Sequence, residues 1–179
     1  RVLVVAPEFE GAPEDEEDVI RIPAIQHFNG SDFSVILPAP GRLTQALNDF
    51  KPDIIHSHHP FLLGDTALRV AASRDLPVVF THHTMYEMYT HYVPGDSPPF
   101  ARFIKTLSTG YANLCDRVFA PSESVARILR ERGVHTPISV VPTGVDIERF
   151  ACADGAAFRR QVGIPADAFL VGHVGRLAP

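Results

Sequence analysis

The chain has 179 residues, of which 45% are hydrophobic, and a net charge of −5. This length and composition are typical of a globular protein with one domain, or with one domain and part of another. No apolar run approaches the roughly 20 residues that span a bilayer, and no signal segment is evident, so we expect no membrane-spanning helix. The two cysteines, Cys115 and Cys152, have no CxxC spacing, which argues against a disulfide framework or a cysteine zinc site and favours a reducing cytoplasm.

The negative charge is concentrated in one segment near the start of the chain. Seven of the 21 acidic residues lie within residues 8–18, so the remainder carries 14 acids against 16 lysines and arginines. A slightly basic body permits an anionic ligand or an anionic membrane surface without requiring either. No basic stripe or stacking platform is present, so we expect no nucleic-acid partner.

The N-terminal third predicts short strands followed by a helix. Apolar runs at residues 2–5, 19–22 and 34–37 predict strands, separated by loops rich in glycine, proline and acids. Leu43, Leu47 and Phe50 then recur at helical spacing. This helix should end at Lys51, because a residue that precedes proline is disfavoured in the α region.

From residue 53 onward, strands and helices alternate. We predict strands at residues 53–57, 77–80, 117–120 and 138–141, and helices at residues 61–74, 98–113 and 122–132. Ser122 is a good N-cap for the last helix, and Gly133 supplies the left-handed residue that closes it. The alternation predicts an α/β fold, in which a parallel sheet has these four strands adjacent and helices on both faces.

The last 40 residues predict a connector and one further strand. Asp146 is placed to cap a helical turn at residues 147–150, and Phe158 and Val162 form an apolar pair on a short helix that Gly163 ends. Residues 169–172 predict a strand. Since no helix follows that strand, we expect it to open a second domain.

Polar side chains cluster after two of the predicted strands. The strand at 77–80 is followed by His82, His83, Tyr86, Glu87, His91 and Tyr92, and the strand at 53–57 ends in His56, His58 and His59. Ligands of open parallel sheets bind beyond the carboxyl ends of the strands, and histidine titrates near neutral pH. Three interpretations stay open: contact with a ligand, capping of strand-end backbone groups, and a histidine metal site, although the spacing fits no known zinc pattern.

Five motifs occur in an order and at distances that resemble the retaining nucleotide-sugar glycosyltransferases of family 4: PDIIHSHHP, PVVFTHHT, DRVFAPSESVARILRERG, SVVPTGVDIERF and FLVGHVGRLAP. Members of this family have the GT-B fold, in which two Rossmann-like domains face each other across a cleft. The resemblance implies that residues 1–143 are most of the acceptor-binding domain, residues 144–168 the hinge and residues 169–179 the first strand of the donor-binding domain. It also implies that the family's first strand and helix precede the strand at 2–5, which predicts an edge or gap in the sheet where that first strand belongs.

The resemblance assigns roles to particular residues. His83 matches the family's cleft histidine, which would offer a hydrogen bond or charge to the reacting sugar and leaving phosphate. Tyr86, Glu87 and His91 would line the acceptor side. Gly175 and Arg176 match the family's donor site, where a guanidinium suits a diphosphate. No cofactor and no metal is implied.

The implied function is transfer of glucose or mannose from a nucleotide sugar, such as UDP-glucose or GDP-mannose, to a lipid or glycan acceptor. The segment HTMYEMYTHYVP narrows the resemblance to members that glucosylate diacylglycerol, which implies a cytoplasmic protein at the inner face of the cell membrane. The helix at 98–113, with Phe103 and Lys105, is the candidate for membrane contact, although a broad apolar face like the one on this helix normally packs on the protein's own sheet. The family's other donor-site residues would lie beyond Pro179, so we expect this chain alone to be inactive. The alternative is a non-catalytic domain that binds lipid or sugar.

Overall fold

The computed structural model describes residues 1–13, 15–27, 35–36, 40–92 and 95–174. The chain divides into two compact units, Arg1–Pro142 and Thr143–Pro179. Across these described ranges, no helix is both long and apolar enough to cross a membrane.

The first unit begins with two small sheets and a helix. Strand β1 (Val4–Pro7) pairs in parallel with β2 (Val19–Ile22), and β3 (Ala24–Ile25) pairs antiparallel with β4 (Val35–Ile36). Helix α1 (Pro40–Phe50) follows and ends where the sequence predicts, since Lys51 adopts a left-handed φ of 53° ahead of Pro52. Strand β1 starts two residues later than predicted, and β3 was not predicted.

A four-stranded parallel sheet forms the centre of the first unit. Its strands are β5 (Ile55–Ser57), β6 (Val78–Thr81), β7 (Arg117–Ala120) and β8 (Ile138–Val140), and they lie side by side in chain order. The connections contain α2 (Leu63–Arg74), a 3₁₀ helix (Tyr86–Tyr92), α3 (Pro98–Asn113) and α4 (Glu123–Glu131). The predicted α/β fold, with a parallel sheet flanked by helices, is therefore confirmed.

The core lies between this sheet and its helices. Phe80, Val118 and Ala120 are fully buried on the strands, and Ala126 and Leu129 of α4 pack against them. Burial on both sheet faces explains why β6 reads as an almost continuous apolar run.

The predicted helix ends of α4 are also confirmed. The Ser122 hydroxyl accepts a hydrogen bond from the Val125 N–H at 3.3 Å, and Gly133 has a φ of 92°. These two contacts fix where α4 begins and ends, which matters for the site because Arg132 lies between the helix and Gly133.

The β1–β2 pair is separate from the large sheet. Among the described residues, β1 pairs with β2 alone, and β5 has β6 as its single neighbour. In the part of the chain that the structure describes, β5 is thus an edge strand of the large sheet.

Close packing of α2 fixes the segment that follows β5. A Cβ atom on Gly64 would lie 2.1 Å from the carbonyl oxygen of His59, so only glycine fits at this point. The buried Tyr111 hydroxyl of α3 donates a hydrogen bond to the Gly64 carbonyl at 3.2 Å. The histidine-rich segment is thus held against two helices.

The second unit contains α5 (Ile147–Ala151) and α6 (Gly155–Val162), both with aspartate N-caps. Asp146 accepts from the Arg149 N–H at 3.0 Å, and Gly163 closes α6 with a φ of 72°, as predicted. The strand predicted at residues 169–172 is wrong for this chain: the segment forms no strand, and Phe169 is 94% exposed. A strand needs a neighbour for its backbone hydrogen bonds, and these residues have none among those described.

Candidate functional site

The end of β6 presents two adjacent histidines to different environments. His82 is 1% exposed and packs in the core, whereas the His83 side chain is exposed. The backbone N–H of His82 donates to the carbonyl of Phe119 at 2.9 Å, which continues the pairing with β7 by one residue. Successive side chains of an extended segment point in opposite directions, which accounts for the different surroundings of the two residues.

Three exposed imidazoles form a row along the carboxyl ends of β5 and β6. The rings of His56 and His58 stack with centroids 4.2 Å apart, and His58 lies 5.8 Å from the His83 ring. His56 Nε2 and the Thr81 hydroxyl form a hydrogen bond of 2.7 Å. The row exists because β5 and β6 are parallel neighbours, so that their carboxyl ends meet at one edge.

The surroundings of His56 and His58 favour neutral imidazoles at these two positions. Desolvation, followed by the nearby charge of His58, lowers the pKa of His56. Desolvation and the charge of His83 likewise lower the pKa of His58. A neutral imidazole both donates and accepts a hydrogen bond, which suits contact with sugar hydroxyl groups.

Tyr86, which was predicted to line the acceptor side, is turned into the core. Its ring packs edge-on against Phe61 and His59, with both centroid distances 5.2 Å, and against His82 at 5.8 Å. Its hydroxyl donates to the carbonyl oxygen of His58 at 3.2 Å. Tyr86 therefore joins the segment after β6 to the segment after β5.

Glu87 also faces inward, where it forms an ion pair with Arg132. The Arg132 Nη2 donates to the Glu87 Oε1, and the two side chains are 16% and 13% exposed. The sequence did not reveal this pair, because its members are 45 residues apart and Arg132 looked like an ordinary helix-end cation. The 3₁₀ helix, which lacks a clear apolar period, is what turns Tyr86 and Glu87 inward.

Of the acceptor-side residues predicted from the sequence, His91 is the exposed one. Its ring stacks on Tyr89 with centroids 6.3 Å apart. Gly175 and Arg176 lie outside the described residues. In the part of the chain that the structure covers, no three His, Cys, Asp or Glu side chains are grouped to hold a metal ion, so the histidine metal-site interpretation gains no support.

Comparison with known proteins decides the family. The model of Glycosyltransferase Family 4 matches residues 1–149, which is most of the chain. The chain belongs to glycosyltransferase family 4. This agrees with the parallel sheet and with the polar cluster at its carboxyl edge.

Curated relatives of this family 4 chain are glycosyltransferases. An alpha-monoglucosyldiacylglycerol synthase of Streptococcus pneumoniae is 29% identical over 76% of this chain and 31% of the relative. A GDP-mannose-dependent alpha-mannosyltransferase of Corynebacterium glutamicum is 30% identical over 98% and 43%. A D-inositol 3-phosphate glycosyltransferase of Kineococcus radiotolerans is 36% identical over 71% and 30%. The chain thus spans less than half the length of these relatives.

The family 4 domain has a second surface feature, an apolar groove of about 670 Å³ between α2 and α3. Its lining includes Phe61, Leu62, Phe103, Leu107 and Leu114. The sequence predicted one broad packing face on α3, but Phe103 and Leu114 are 58% and 69% exposed, and Tyr111 is buried. Only part of the apolar face of α3 is therefore used in the core.

Proposed function

We propose that the protein containing this chain transfers a hexosyl group, glucose or mannose, from a nucleotide-sugar donor to a lipid or glycan acceptor, with diacylglycerol as the lipid. The observation that carries the proposal is the exposed His83 at the carboxyl end of β6, in one row with His58 and His56, in a chain of family 4. The name of the Streptococcus pneumoniae relative supports a diacylglycerol acceptor, and that of the Corynebacterium glutamicum relative supports a GDP-mannose type of donor.

In this proposal His83 acts on charge that develops during transfer. As the bond from sugar to phosphate breaks, positive charge grows on the sugar ring and negative charge on the leaving phosphate. A preorganised hydrogen bond aimed at either centre lowers the barrier, because it is stronger in the transition state than in the ground state. The row of imidazoles beside His83 would keep the site polar and ready to bond sugar hydroxyl groups.

The other residues divide between the two substrates. His91, which is exposed, would contact the acceptor, whereas the buried Tyr86 and Glu87 would act on the acceptor side by fixing the segment that carries His83. Gly175 and Arg176 would hold the donor diphosphate, with the planar guanidinium pairing two phosphate oxygens.

A lipid acceptor requires access to a membrane surface. The groove between α2 and α3 is apolar, and Arg102 and Lys105 lie exposed on α3 beside Phe103. Apolar side chains flanked by cations fit the interface of an anionic membrane, so peripheral contact with the inner face of the cell membrane belongs to the proposal. The same groove favours a second candidate, a non-catalytic lipid-binding domain.

The test uses the complete protein with UDP-glucose or GDP-mannose and vesicles that contain diacylglycerol. We expect a hexosyl group to be transferred to diacylglycerol from one of the two donors, measured as radiolabel in the lipid phase. Vesicle binding without transfer or donor hydrolysis would favour the non-catalytic candidate. Transfer to a soluble glycan alone would exclude the lipid acceptor and keep the glycosyltransferase.

A further inference from the structure

We infer that the ion pair between Glu87 and Arg132 is a positioning device: it holds the 3₁₀ helix against the end of α4 and so sets the placement of His83. The inference rests on the proposed function, in which His83 acts on the reacting centre. It goes beyond that function by assigning a role to Arg132, which has no place in the donor or acceptor sites.

The ion pair is poorly suited to a role in stability alone. Both side chains are largely buried, and burying charges is costly unless their hydrogen bonds are complete. Only one oxygen and one nitrogen are matched here, because Glu87 Oε2 and Arg132 Nη1 are buried without a hydrogen-bond partner among the described residues. A half-satisfied buried pair is a weak source of stability, whereas in our inference its role is to connect the 3₁₀ helix to the end of α4.

A third buried polar atom belongs to the same cluster. His82 Nδ1 also lacks a partner among the residues that the structure covers. After desolvation, which dominates, the charge of Arg132 lowers the pKa of His82 and the charge of Glu87 raises it, so both groups are near the imidazole. The buried His82 precedes His83 directly in the chain, and Glu87 follows His83 by four residues.

Three polar contacts, in addition to the ring packing of His82 and Tyr86, join the segment from His82 to Glu87 to other parts of the chain. The His82 N–H donates to the Phe119 carbonyl of β7, and the Tyr86 hydroxyl donates to the His58 carbonyl. The ion pair is the third contact and the one that reaches α4. His83 lies between these anchors, so loss of the α4 anchor would let the 3₁₀ helix shift and carry His83 with it. Misplacement by about 1 Å costs roughly a hundredfold in rate.

The test compares Arg132→Met and Glu87→Gln with Arg127→Met in the complete protein. Arg127 forms an exposed pair with Glu131 on the same helix, at 4.0 Å, and is the matched control. We expect the first two variants to lower kcat about tenfold or more per folded molecule, with the KM for the nucleotide sugar within about twofold, because a misplaced His83 loses an interaction made only in the transition state. Arg127→Met should match the wild type, and Arg132→Lys, which keeps the charge, should recover part of kcat.

A second readout does not depend on turnover. In protein labelled with ¹⁵N-histidine, the His83 imidazole resonances should shift or broaden in Glu87→Gln and Arg132→Met and stay unchanged in Arg127→Met. Unchanged His83 resonances with unchanged kcat per folded molecule, even where the melting temperature falls, would overturn the inference. If Arg132→Met does not fold, the near-isosteric Glu87→Gln decides. Absence of transfer by the wild type would defeat the proposed function, while the resonances would still test the positioning.

Discussion

His82 and His83 have the same side chain, yet the structure gives them opposite surroundings. His82 is enclosed by the Phe80 and Tyr86 rings, at centroid distances of 5.6 and 5.8 Å, whereas His83 is exposed beside His58. Alternation along an extended backbone produces this difference. The two residues therefore provide a paired comparison within one motif.

Replacing His83 by alanine in the complete protein should lower kcat far more than it weakens donor binding. Loss of one preorganised hydrogen bond costs about 2.7 to 4 kcal/mol in the transition state, so we expect a fall of roughly a hundred- to a thousandfold. His82→Ala should mainly lower the melting temperature. Steady-state kinetics on folded protein measures kcat and KM, and thermal denaturation measures the melting temperature. The assigned roles are wrong if His82→Ala abolishes activity while His83→Ala keeps kcat within about threefold.

Burial of His82 should make the protein less stable in mild acid. Its pKa is lowered from 6.5 to about 4, mainly by desolvation, so below pH 6.5 the unfolded chain binds a proton that the folded chain does not. The free energy of unfolding is therefore unaffected by His82 protonation above pH 6.5. It falls as the pH is lowered towards 4, by about 3 kcal/mol in total. Urea unfolding at pH 7.5 and 4.5 should show a smaller loss for His82→Gln than for the wild type. An equal loss in both would contradict the prediction, and the exposed His135→Gln is the control.

At the scale of elements, α2 can pack against the segment after β5 because Gly64 has no side chain. Gly64→Ala should destabilise the fold by about 1–3 kcal/mol or more, because the new methyl group would lie 2.1 Å from the His59 carbonyl oxygen. Gly110→Ala on α3 is the matched control: it meets nothing within 4 Å and should stabilise the helix by about 0.5–1 kcal/mol. Chemical denaturation measures the free energy of unfolding of both variants. If Gly64→Ala leaves it unchanged, α2 can move away from the His59 carbonyl.

Helix α3 should contribute to membrane binding if the groove beside it serves a lipid acceptor. Replacing Phe103 and Lys105 together by alanine removes one exposed aromatic ring and one of the two cations on this helix. The two cations, Arg102 and Lys105, together supply only about 2 kcal/mol of attraction to an anionic membrane surface. We expect affinity for anionic vesicles to fall about tenfold in co-sedimentation at low salt. Arg127→Ala on α4 should bind as the wild type does. Unchanged binding by the double variant would remove α3 from the contact surface.

At the scale of the whole molecule, the edge of the large sheet should govern association of this chain. Strand β5 has one neighbour among the described residues, and Ile54 just before it is 53% exposed. An edge with free backbone groups and an apolar side chain pairs readily with another chain. Residues 1–179 expressed alone should therefore associate between about 1 and 100 µM in sedimentation velocity. Ile54→Lys should reduce association and Ala72→Lys on α2 should not, whereas a monomer throughout would contradict this prediction.

Local chemistry determined much of the fold from the sequence. Ser122 and Gly133 marked the ends of α4, Lys51 marked the end of α1, and the apolar runs marked the four parallel strands, because caps, prolines and periodicity act through neighbours in the chain. The facing of His82 and His83 followed from alternation alone. The position of the histidines followed from the rule that parallel strands place ligands at their carboxyl ends.

Contacts between distant residues were decided only by the tertiary structure. The pairing of Glu87 with Arg132, the packing of Tyr86 against Phe61 and the approach of His58 to His83 join segments that are far apart in the chain, which no local pattern encodes. The strand expected at residues 169–172 did not form, because a strand is stabilised by hydrogen bonds to a neighbour and an apolar run alone cannot supply one. The sequence thus determined the features that depend on neighbours in the chain, and the tertiary structure decided that Tyr86 and Glu87 are turned inward while His91 is exposed.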